Sequence, residues 1–113
     1  MNLSNTSKKY IEMTEKRKRV YLAGKISGTQ RDDYLKKFAD KEEYLFHLGY
    51  DVLNPAKMCD TLPVMKHAEY MRLTSELLKM ADYIYVIDGR NDSEGVQMEL
   101  LIAQKMGIPE VEP

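Results

Sequence analysis

The sequence predicts an α/β domain in which a small parallel sheet lies between two layers of helices. Three observations carry that expectation. Short β-branched and aromatic runs alternate with longer amphipathic stretches in the order β-α-β-α-β-α-β, which implies parallel strands joined by right-handed crossovers. The run DYIYVID, residues 82–88, lacks polar alternation, as suits a strand covered on both faces. Gly49 and Gly107 stand where helix-ending glycines belong.

Taken in order, residues 1–18 are polar, rich in Ser, Thr, Lys and Glu, and form an extension to a domain covering 19–113. That extension is either disordered or a frayed helix around Tyr10, Ile11 and Met13. Its basic run Lys16-Arg17-Lys18-Arg19 reads as a solvated lead-in to the first strand, or else as a nucleic-acid patch. RVYLAG, 19–24, is a β-rich run ending in glycine. From Gln30 to Leu48, Tyr34, Leu35, Phe38, Leu45 and Leu48 recur at helical spacing among charges. YDVLNP, 50–55, is a second strand stopped by Asn54-Pro55, and a loop containing Pro63 follows. A second helix spans about Lys66 to Met80, then the third strand, the loop GRNDS and a helix from about Glu94 to Met106. IPEVEP offers a short fourth strand. The expected architecture is a Rossmann/flavodoxin-like three-layer sandwich with strand order 2-1-3-4. Ligands in such folds sit beyond the carboxyl ends of the strands, where strand order reverses. Gly24–Thr29, Asn54–Pro63 and Gly89–Ser93 converge there.

Composition narrows the function classes. The 113 residues are 43% hydrophobic and 31% charged, enough for one core and ordinary for a globular chain. A formal net charge of -1 argues against a nucleic-acid polymer as partner. No apolar run reaches membrane-spanning length, and the N-terminus has no apolar signal segment, so a cytoplasmic protein without membrane association is expected. Cys59 is alone, and His47 and His67 have no neighbouring ligand set, so neither metal nor cofactor is expected.

Two loops carry chemistry. In AGKISG, Gly24 and Gly28 flank Lys25, Ile26 and Ser27. Glycines permit close approach of backbone N–H groups to a phosphate, yet the same pattern serves a tight strand-to-helix turn. In NDSEGVQMELLIA, Asp92 or Ser93 suits a helix N-cap and Glu94 the positive helix end. Capping does not explain Glu99, which lies in the second turn on the face of Gly95 and Ala103. Gly95 leaves open space above that acid, at a helix-propensity cost of up to about 1 kcal/mol. A carboxylate beneath such a gap can be a nucleophile, a hydroxyl-binding group, or merely a partner for Lys105 or Arg90.

With those pieces in place, the chain resembles the nucleoside 2-deoxyribosyltransferase-like superfamily, and most closely the DUF4406 domain family. The resemblance runs from about Arg19 to Pro109 and rests on VYLAGKISG, GYDVLNPA, YMRLTSELLKMADYIYVIDG and SEGVQMELLIAQKMGIP. It implies that Glu99 is the nucleophile attacking the anomeric carbon of a 2′-deoxynucleoside or its 5′-monophosphate and releasing the base, after which water or a second base takes the deoxyribosyl group. It implies that Tyr21 lies near the reacting sugar, that Gly24–Gly28 holds a 5′-phosphate, and that Ser93 contacts phosphate or sugar. One departure stands out: where the relatives carry an aspartate that helps protonate the departing base, this chain has Thr74. Leaving-group protonation commonly contributes 10²–10⁴-fold. Its loss implies either a slow N-glycosidase or transferase, or a nucleotide-binding domain without turnover, and Asp88 and Asp92 are the acids placed to compensate. Only four residues follow Pro109, and in relatives a neighbouring subunit usually helps complete the site, so a homo-oligomer, dimer or higher, is implied.

Overall fold

A computed structural model describes residues 17–111. Most of the proposed extension, residues 1–16, lies outside them, but Arg17 is included and is no solvated lead-in. Its guanidinium pairs with Asp51 at 2.8 Å, donates to the carbonyls of Phe46 and Tyr50, and stacks over the Phe46 ring.

Three strands form the sheet: β1 (Arg19–Ala23), β2 (Asp51–Leu53) and β3 (Tyr83–Val86), all parallel in the order β2-β1-β3. Four helices accompany them: α1 (Arg31–His47), α2 (Pro55–Asp60), α3 (His67–Leu78) and α4 (Glu94–Met106). The period-two alternation of β1 builds two cores. Val20 and Leu22 pack with Phe38, Leu45 and Ala56 of α1 and α2, whereas Tyr21 and Ala23 pack with Leu78, Val96 and Ala103 of α3 and α4. Helices therefore cover both faces of the central strand, giving the expected three-layer α/β sandwich.

Three expectations are corrected. The fourth strand reduces to one parallel bridge, Ile84 with Glu110, in the predicted place beside β3. Ile84 donates to the Pro109 carbonyl and accepts from Val111, and Pro109, with no N–H of its own, does not extend the ladder. The segment after β2 is not all loop: Asn54 accepts from Lys57 N–H at 3.1 Å, Pro55 occupies the first helical position, and a short helix results. The second predicted helix starts where expected, with Glu69 accepting from the Lys66 N–H, but ends at Leu78, leaving Met80 exposed. No described helix is long and apolar enough to cross a membrane. The strand order reverses between β1 and β3, so the loops after these two strands meet the start of α4 at one edge of the sheet.

Candidate active site

The alternation that sends Tyr21 toward α4 buries its ring completely. On α4, Ser93 is the N-cap, its hydroxyl accepting from Val96 N–H at 3.3 Å. Helical spacing from that start turns Val96, Glu99 and Ala103 inward. Glu99 is thus 5% exposed, with no ion pair among the described residues; Arg90 pairs instead with Glu110. Its Oε2 and the Tyr21 hydroxyl are both buried without a hydrogen-bond partner.

Burial pushes the Glu99 carboxyl up to about 7, because the charged form loses its hydration. The Tyr21 hydroxyl, facing it short of a well-formed hydrogen bond, acts weakly in the opposite direction. Tyr21 is raised well above the usual phenol value by burial and then by the Glu99 charge. Tyr70 is raised too, chiefly by burial, with Cys59 and Glu99 adding to it.

Above Glu99 opens a cavity of about 710 Å³, the size of small-molecule sites. Gly24, Lys25, Ile26 and Ser27 line it together with Ser93, Gly95 and Glu99. Six predicted positions behave differently from one another. Gly24 is demanded by packing, since a Cβ there would lie 2.9 Å from Phe38 Cζ. Gly28 has φ +80° in a turn closed by Thr29 N–H to Ile26 O, and it lies off the cavity wall. Tyr21 is also off the wall, behind Glu99. Asp88 is off the wall as well, accepting from Lys25 N–H and from Lys37 Nζ, each at 2.7 Å. Burial raises its pKa, but the Lys37 and Lys25 bonds outweigh that and hold it below the usual carboxylate value. Asp92, on the wall, takes Lys25 Nζ at 2.7 Å. Thr74 is fully buried, and its hydroxyl donates to Met71 O within its own helix at 3.3 Å.

Gly95 is a contrasting case. A Cβ there would sit 3.6 Å from Met71 Sδ and 3.8 Å from Ser93 Oγ, ordinary contacts that the fold accepts. What a methyl would take is space at the cavity wall.

Tyr34, Tyr70 and Met71 complete the cavity lining, and Tyr34 shows that helical spacing alone does not separate core from cavity wall. Arg31 and Asp60 join across it through two bonds of 2.8 and 2.5 Å, a pairing 29 residues apart with no local signal. The segment after α2 adds Leu62, Pro63 and Met65.

The family model described as "Domain of unknown function (DUF4406)" matches residues 18–111, and the chain belongs to that family. No curated protein matches the chain.

Proposed function

For this member of the DUF4406 family, we propose cleavage or transfer of the N-glycosidic bond of a 2′-deoxynucleoside or its 5′-monophosphate, with Glu99 as nucleophile. One observation carries the reading. A nearly buried carboxylate at the wall of a cavity has an oxygen with no partner, an arrangement that costs stability and that packing alone does not require. The resemblance described above supplies the chemistry.

In the first step a Glu99 carboxylate oxygen bonds to the anomeric carbon as the carbon–nitrogen bond breaks. The bonding pair leaves with the base, which takes up a proton. Water then adds to the anomeric carbon, the ester carbon–oxygen bond breaks and Glu99 departs as carboxylate, while the water gives up its second proton. One water is consumed and free base and deoxyribose, or deoxyribose 5-phosphate from the monophosphate, result; a second base in place of water gives transfer. Tyr21, behind the carboxylate, is a positioning residue that favours its ionised form. The ligand is a small-molecule nucleoside or nucleotide. The exposed Met98 and Leu101 on α4 support association with further copies of the chain, and the free Cys59 suits a cytoplasmic setting.

A second reading, a binding domain without turnover, draws on Thr74. Its hydroxyl is engaged inside α3, and Asp88 is held ionised by two donors, so neither supplies a proton to a departing base near neutral pH. The test is incubation of the purified chain with deoxynucleosides and their 5′-monophosphates, followed by chromatography for free base. Base release that disappears in Glu99→Gln supports catalysis. Ligand-dependent thermal shifts without base release support the binding reading instead.

A further inference from the structure

We propose that the cavity takes the uncharged nucleoside in preference to its 5′-monophosphate, and that Asp92 and Asp60 set this choice by neutralising Lys25 and Arg31; this rests on the nucleoside reading above. Most of the features that make the first loop look built for phosphate are already engaged by the fold, the Ile26 and Ser27 N–H groups being the exceptions. Gly24 is occupied by the Phe38 ring, and Gly28 serves a turn away from the cavity. The Lys25 N–H donates to Asp88, and its ammonium is held by Asp92 at 2.7 Å. Arg31, the other strong cation on the wall, is held by both oxygens of Asp60.

The charge count points the same way. Lys25 and Arg31 face Asp60, Asp92 and Glu94 on the cavity lining, even before Glu99 ionises. The positive end of α4 favours anions, but Glu94 stands in its first turn and the Ser93 hydroxyl caps it. A phosphate dianion can only accept hydrogen bonds, so beside Asp92 it meets an acceptor of its own sign. A 5′-hydroxyl can donate to the same carboxylate.

The test measures the full chain with a 2′-deoxynucleoside and its 5′-monophosphate, as kcat/KM where turnover occurs and as Kd where it does not. The readout is the ratio between the two ligands in wild type, Asp92→Asn and Asp60→Asn, at low and high salt, with thermal melts confirming folding. The nucleoside is expected to be favoured about tenfold or more, each variant narrowing that preference by about threefold to tenfold, as one close charge in a partly solvated site would. Added salt should narrow it as well, since screening weakens repulsion. Wild type preferring the monophosphate, or a ratio unmoved in both variants, would overturn this inference and leave the nucleoside site standing. Binding of neither ligand would overturn the nucleoside reading itself, and this inference with it.

Discussion

The loop after β1 and the first two turns of α4 both line the cavity, and they answer to the fold in opposite ways. In the loop, Phe38 fills the space at Gly24, Asp88 takes the Lys25 N–H and Asp92 takes its ammonium. In α4, Gly95 has room for a methyl it lacks, and Glu99 has a buried oxygen without a partner. In the first region Gly24 and Lys25 are explained by packing and charge. The second keeps a glycine and an acid that stability alone would replace. Residues whose needs the fold leaves unmet are the better pointers to function, and here they are Gly95 and Glu99 rather than the glycine-rich loop.

Substitutions on the two sides should therefore separate activity from stability. The largest effect is expected for Glu99→Gln on base release, a loss of at least about a thousandfold, because the amide cannot form the covalent intermediate. In wild type the same assay should rise with pH through about 7, the value at which burial lets the carboxyl ionise.

The same variant should be more stable than wild type at high pH, and the sign follows from protonation. Folding raises the Glu99 pKa from 4.5 to about 7, so the native state holds the proton more tightly than the unfolded chain. Its contribution is complete below pH 4.5 and is lost as pH rises toward about 7. Urea denaturation should show Glu99→Gln gaining up to about 3 kcal/mol at pH 8 and nothing near pH 4. A variant less stable than wild type at every pH would mean that Glu99 supports the fold, and the contrast between the two regions would fail.

Gly24→Ala tests the other side. Its methyl collides with a buried ring, so a loss of about 1–3 kcal/mol is expected in the same denaturation experiment. Gly95→Ala should change stability least, by less than about 1 kcal/mol and in the favourable direction, since alanine suits a helix better. Ligand binding by calorimetry should nevertheless weaken. Destabilisation at Gly95 with binding intact would make it a packing glycine like Gly24.

Much of this was readable from residues alone. The three strands, the helix-ending glycines and the Ser93 cap follow from local preference, and Glu99 was placed on the inner face by spacing. Pattern reports which face of a helix turns inward, not whether protein or a cavity meets it. Tyr34 therefore reads as one more apolar position at helical spacing, and it lines the cavity. The Phe38 ring under Gly24 and the Arg31–Asp60 pair are long-range contacts that no local window contains. The helix at Pro55 was different in kind: Asn-Pro announces a cap and a first turn as well as a strand's end.

The most direct test of the central claim is mass spectrometry of the chain quenched during reaction with a deoxynucleoside substrate. A deoxyribosyl group attached to the peptide that contains Glu99, present in wild type and missing in Glu99→Gln, is the predicted result. Free base released equally well by Glu99→Gln, with no adduct on that peptide in wild type, would contradict it.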